Sequence, residues 1–204
     1  MFGHDQSSRH EEPLTVSCAE MTTQPELFLV LSALGPDRPG LVAEITEYLT
    51  ERGGNVEDSR MAVLGGEFGV LILVSGTPHE IDLIERERNA LATKTGLDLL
   101  VRRTKSPEDH RRASGVPCLV TAEALDHEGI VRAVSRALHG AGVNIVSLET
   151  SAYEAPVTGS PLFRLEARVD LPSNVTVGKL RKAMDVVAEA ENLDIEVRSL
   201  VRGG

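Results

Sequence analysis

Gly35-Pro36-Asp37-Arg38-Pro39-Gly40-Leu41-Val42 has an echo later in the chain, Ala124-Leu125-Asp126-His127-Glu128-Gly129-Ile130-Val131. Aligning Gly40 with Gly129 sets an offset of 129 − 40 = 89. The same offset pairs Asp37 with Asp126, Ile45 with Val134, Leu49 with Leu138, Gly53 with Gly142 and Asn55 with Asn144. One spacing that matches a loop, a helix face and a helix exit marks an internal duplication. Each copy's Asp-x-x-Gly turn is the first place to look for a ligand.

Outward from that turn, the first copy reads as alternating strands and helices. Leu27 to Leu34 is an apolar run between Pro25 and Gly35, the pattern of a buried strand. Asp37 reads as the N-cap of the next helix, with Pro39 tolerated in a first turn. Leu41, Val42, Ile45, Tyr48 and Leu49 fall on one helical face, and Gly53-Gly54 ends the helix. Val56 to Leu64 and Phe68 to Val74 are strands joined by a Gly65-Gly66 hairpin turn. Pro78 to Thr95 is a second helix with Ile81, Ile84 and Leu91 on one stripe, stopped by Gly96; Leu97 to Val101 is the last strand.

The second copy repeats the order β-α-β-β-α-β over Pro117–Ala122, Glu128–His139, Asn144–Tyr153, Leu162–Leu171, Thr176–Glu191 and Leu193–Val201. Phe68 matches Phe163 at offset 95, so the second hairpin is longer by 95 − 89 = 6 residues around Glu154–Pro161. One more residue enters before its second helix, where Ile81 matches Val177 at offset 96. Two β-α-β crossovers per copy predict parallel pairing, with the helices on one face of a four-stranded sheet. The expected fold class is α+β, two ferredoxin-like βαββαβ domains in tandem. Bare edge strands predict that the halves lie side by side or that the chain dimerises.

The expected organisation is a disordered arm over 1–24, a first domain over 25–104, a linker over 105–115 and a second domain over 116–204. The arm is polar, and the linker is the most basic stretch, with Arg102, Arg103, Lys105, Arg111 and Arg112 in or beside it. At 204 residues, with aromatics only 3% and no Trp, two small aliphatic cores are expected. A net charge of -10 argues against nucleic-acid binding by the surface at large. Cys18 and Cys118 follow no metal or disulfide spacing and read as reduced thiols. No apolar run approaches about 18 residues, and Met1 to Gln24 lacks the apolar core of a secretory signal, so a cytoplasmic protein without membrane contact is expected.

A tandem of β-α-β-β-α-β units, each with Asp-x-x-Gly-[Leu/Ile]-Val after the first strand and a Gly-x-Asn or Gly-Gly-Asn helix exit, resembles the ACT-domain family of small-molecule sensors. Two such domains with little else resemble the group around the glycine cleavage system transcriptional repressor. The resemblance covers about 80 residues in each half. It implies a non-enzymatic, amino-acid-responsive regulatory protein, a transcriptional regulator or co-regulator acting through protein contacts. It implies a small amino acid effector such as glycine or serine, a protein partner such as a transcription factor, self-association and no cofactor.

Carried over residue by residue, the ligand-binding positions are Asp37, Arg38, Pro39, Gly40, Leu41 and Asn55 in the first half. In the second they are Asp126, His127, Gly129, Ile130 and Asn144. His127-Glu128 replaces Arg38-Pro39, and the Glu128 charge near a helix N-terminus disfavours a ligand carboxylate there. The physics of the first loop agrees with a zwitterionic ligand. A helix N-terminus offers unpaired N–H groups to an anion, Gly40 permits close backbone approach, and Asp37 can pair with an ammonium. The same residues also serve as caps and packing positions, which keeps a ligand-free dimerisation or interaction module open.

Catalytic patterns are missing. His127-Glu128 and His79-Glu80 lack the second His of HExxH, with Val131 and Leu83 there instead. Gly140-Ala141-Gly142 sits between helix and strand, the wrong order for a dinucleotide loop. No Walker, Asp-x-Asp or Gly-x-Ser-x-Gly motif occurs, and no metal site is expected. An enzyme with a site between the halves is a less favoured alternative than the ligand-free module. The RNA-recognition fold shares this strand order, but Phe68 and Phe163 are isolated and direct nucleic-acid binding is not expected.

Overall fold

The computed structural model describes residues 25–110, 115–156 and 159–200. The arm over 1–24, Cys18 within it and residues 111–114 of the linker lie outside the described residues. The chain divides between Ser106 and Pro107 into two compact units.

The first unit runs β1 Leu27–Pro36, α1 Leu41–Glu51, β2 Asn55–Leu64, β3 Glu67–Gly76, α2 Pro78–Thr95 and β4 Asp98–Thr104. After the single-turn helix α3 Pro107–His110, which falls in the stretch read as linker, the second runs β5 Val116–Leu125, α4 Ile130–Gly140, β6 Asn144–Glu154, β7 Pro161–Leu171, α5 Val177–Glu191 and β8 Asp194–Ser199. Each unit is the α+β ferredoxin-like sandwich expected. The strand orders are β2-β3-β1-β4 and β6-β7-β5-β8.

The expected parallel pairing is not what forms. Every paired ladder is antiparallel. The crossover from β1 through α1 carries the chain past the slot beside β1, and β3 returns into that slot from the hairpin. Hydrophobic periodicity tells which face of a strand is buried; it does not name the neighbour.

Period-two burial builds each core. In the first unit Leu29, Leu31 and Ala33 of β1 and Phe68, Val70, Ile72 and Val74 of β3 point under the helices. Leu41, Ile45, Tyr48 and Leu49 of α1 and Ile81, Ile84 and Leu91 of α2 close over them. The Tyr48 hydroxyl donates to the Ile84 carbonyl at 2.9 Å, tying the two helices together. Burial raises the Tyr48 phenol above its ordinary range. The second unit repeats this with Val120, Leu138, Leu165, Val169, Leu180 and Met184. There Cys118 is fully buried and free, and its burial raises the thiol above its ordinary range.

The six-residue insertion resolves simply. Tyr153 pairs with Leu162 where Leu64 pairs with Glu67. The extra length adds one strand pair, Glu154 with Pro161, and turns a two-residue connection, Gly65-Gly66, into 155–160. Gly65 and Gly66 have φ of 60° and 91°, the left-handed pair that a tight hairpin requires.

Helix α2 is capped at both ends. The Glu80 N–H donates to Thr77 Oγ1 at 3.4 Å, the Thr77 N–H donates to Glu80 Oε2 at 2.7 Å, and Gly96 exits in a left-handed conformation. In α5 the cap is Thr176, and Asn192 with φ 53° replaces the glycine exit. Thr77→Ala is expected to destabilise the first unit by about 1 kcal/mol at neutral pH in urea melts. The Thr77 backbone and side chain hold Glu80 below its ordinary value of 4.5. A lowered folded value means stability present above the ordinary value and lost as pH falls through it. The cost of Thr77→Ala should therefore shrink in acid.

Candidate functional site

The loop between β1 and α1 is anchored at one end by backbone. The Asp37 N–H donates to the Gly66 carbonyl of the hairpin at 3.0 Å, and in the second unit Asp126 donates to Pro161 at 2.9 Å. Neither aspartate is the N-cap read from the sequence. Helix α1 begins at Leu41 and α4 at Ile130, and the caps are Gly40 (φ 95°) and Gly129 (φ 99°), with no side-chain cap bond. Three residues separate each aspartate from its helix, so the loop closes through a left-handed glycine. The first N–H groups of each helix have no intrahelical acceptor and face outward at the loop.

Position 38 and its equivalent 127 form the second anchor. Arg38 grips Glu44, in the first turn of α1, through two bonds of 2.7 Å, and its Nη2 lies 3.4 Å from the Thr95 carbonyl at the end of α2. The fork holds Arg38 above and Glu44 below their ordinary values. In the second unit His127 reaches the equivalent helix end, Nε2 to the Glu191 carbonyl at 3.2 Å, with Nδ1 3.1 Å from the Glu128 carbonyl. A donor from the loop thus meets the carbonyl end of the second helix in both copies, a favourable pairing with the helix dipole. Ala133 stands where Glu44 would be, so the second loop lacks the ion pair.

The remaining expected residues divide by position. Pro39 and Gly40 are exposed in the loop with Asp37; Asp126 and Gly129 are exposed likewise. Leu41 and Ile130 are 2% exposed and belong to the cores, so their side chains do not present to a ligand. Asn55 and Asn144 open β2 and β6, and the register puts them at the far end of their sheets. Asn55 sits beside Ser75, whereas the loop adjoins Glu67. Eight strand steps at about 3.3 Å separate the ends by roughly 26 Å. Within a unit, Asn55 and Asn144 do not join the loop.

A bulge at Glu57 explains what Asn55 does instead. The register shifts between Val56 and Asp58, and again between Ile145 and Ser147. The bulge turns Glu57 so that its Oε1 accepts from Asn55 Nδ2 and from the buried Ser75 hydroxyl, each at 2.6 Å. Sequence reading missed Glu44 and Glu57. The only signal for Glu44 was an acid in the first turn of α1.

Among the described residues no group of three or more His, Cys, Asp or Glu is placed to hold a metal, and no helix is long and apolar enough to cross a membrane. Phe68 is a core residue, 2% exposed, and stands under the helices, away from the open sheet face.

Residues 27–102 match the ACT domain family. The chain is 28% identical over 173 residues to the glycine cleavage system transcriptional repressor of Escherichia coli (strain K12), covering 84% of this chain and 90% of that protein. It is 28% identical over 171 residues to phosphoserine phosphatase SerB2 of Mycobacterium tuberculosis, covering 83% of this chain and only 40% of that enzyme. A crystal structure of an unknown protein from Galdieria sulphuraria superposes with a TM-score of 0.75 at 34% identity, over 87% of this chain and all of that one. With the family match on the first unit and the same topology, bulge and glycine cap repeated in the second, the chain is a tandem of two ACT-like units, similar over most of its length to the glycine cleavage system transcriptional repressor.

Proposed function

We propose that this protein is an amino-acid-responsive regulator of the glycine cleavage type, cytoplasmic and without catalytic activity. Its effector is a small zwitterion such as glycine or serine, bound at the β1–α1 loop of the first unit. It acts by contact with a protein partner such as a transcription factor. The observation that carries this reading is the left-handed Gly40, which leaves the first N–H groups of α1 open beside the exposed Asp37. The N–H groups suit a carboxylate and Asp37 suits an ammonium. Relationship to the E. coli repressor supports the regulatory part, and Glu128 at the second loop favours the first.

A thermal-shift screen of the full chain against the proteinogenic amino acids tests it. A ligand at about 100 times its Kd stabilises the folded state by about 2.7 kcal/mol. A selective rise is expected, abolished by Asp37→Ala and retained in Asp126→Ala. No rise with any amino acid would favour the other reading, a ligand-free interaction module. One observation favours that module: the Arg38 guanidinium is already engaged by Glu44.

A further inference from the structure

The open faces of the two sheets are opposite in character. On the first sheet the side chains pointing away from the helices form three rows across β2-β3-β1-β4: Ala62, Gly69, Leu34, Asp98; Arg60, Leu71, Ser32, Leu100; and Asp58, Leu73, Val30, Arg102. Leu34, Leu71 and Leu100 are 57%, 55% and 66% exposed, far above the core leucines. At the same register in the second sheet, Glu123 stands for Leu34, Glu166 for Leu71, Arg168 for Leu73 and Glu196 for Leu100. Arg164, in place of Gly69, bonds Glu123 at 2.8 Å and Glu166 at 2.9 Å. The second copy therefore forms the same sheet with a salt-linked face in water. Folding does not require leucines there, and a contiguous exposed apolar face marks an interaction surface.

We propose that the open face of the first sheet binds the same face of a second copy of this chain, sheet on sheet about a two-fold axis. The rows themselves select that occupant. A two-fold lying along the middle row places Leu71 and Leu100 against their own copies and brings the first row over the third. Asp98 then faces the partner's Arg102, small Gly69 faces the partner's Leu73, and Leu34 faces the partner's Val30. These pairs match charge and volume, as an isologous contact demands, while Arg60 at the sheet edge meets its own copy already paired with Asp58 of the same chain. Asp98 and Arg102 are exposed. The central Ser32 hydroxyl bonds the Leu100 carbonyl at 3.5 Å, so its burial leaves no donor unmet. This inference is independent of the effector reading.

Sedimentation of the full chain at micromolar concentration tests it. A dimer is expected. Leu71→Glu/Leu100→Glu installs the residues the second unit carries and should raise the dimer Kd about a hundredfold or more, with the circular dichroism spectrum unchanged. Asp98→Arg alone, which touches only an exposed charge, should weaken the dimer, and Asp98→Arg/Arg102→Asp should restore it. A monomeric wild type overturns the proposal in favour of a foreign partner. A dimer indifferent to Leu71→Glu/Leu100→Glu overturns it in favour of another surface. Failure of the charge swap to rescue overturns the two-fold register.

Discussion

Phe68→Ala should lower the stability of the first unit by about 3–5 kcal/mol in chemical denaturation. Phe68 is 2% exposed and points under the helices from β3, beside Gly35 on β1 and Val63 on β2. The other buried ring of that core, Tyr48, is held in place by its bond to the Ile84 carbonyl. A domain of roughly 80 residues holds about 4–12 kcal/mol in total, so the variant should be close to unfolded at room temperature. The β1–α1 loop hangs on that end of the sheet through the Asp37–Gly66 bond, and any effector response should go with it. Phe163→Ala offers the control. Phe163 is only partly buried against the second core, and its loss should be clearly smaller. Equal losses at both positions would contradict the burial difference.

Gly40→Val is the second large effect, with a different cause. At φ 95° a β-branched residue is strained, at a cost of about 1–3 kcal/mol. Steric overlap adds little: a Cβ at Gly40 meets only Glu44 Oε1 at 3.7 Å and Arg38 Nη1 at 4.0 Å. Gly129 has φ 99° and nothing within 4 Å of its would-be Cβ. Gly129→Val should therefore cost about the same in stability, measured by the same urea titration. The two should part only in ligand response, which Gly40→Val removes and Gly129→Val leaves. A much larger stability loss at Gly40 would mean that the Arg38–Glu44 pair, and not the backbone, sets the cost.

The structure recasts how the loop works. Arg38 and His127 are chemically different, yet each reaches the carbonyl end of the second helix, at Thr95 and at Glu191. The loop is held between the hairpin and a helix end in both units, so a ligand there meets a preorganised backbone. Only the first unit adds the Arg38–Glu44 fork. A carboxylate ligand competing for Arg38 would displace Glu44, whereas one bound by the α1 N–H groups would not.

Local pattern carried the element order and the helix over Pro78–Thr95, because each rests on residues close in sequence, and comparison of the two copies carried the six-residue insertion. Alternation and 3.6-residue periodicity report which side of an element is apolar, and turn glycines report where the chain reverses. The duplication itself was legible in the offset of 89, since shared packing demands shared spacing. Tertiary structure alone decided which strands are neighbours, and hence that Asn55 stands at the opposite end of the sheet from Asp37, roughly 26 Å away. It decided that Gly40 caps α1 in place of Asp37, and that Glu44 takes the arginine expected for a ligand. It also set Leu34, Leu71 and Leu100 side by side on one open face, although they are far apart in the chain. Register is a non-local quantity, settled by how two distant segments bury their apolar sides together, and no stretch of sequence read by itself contains it.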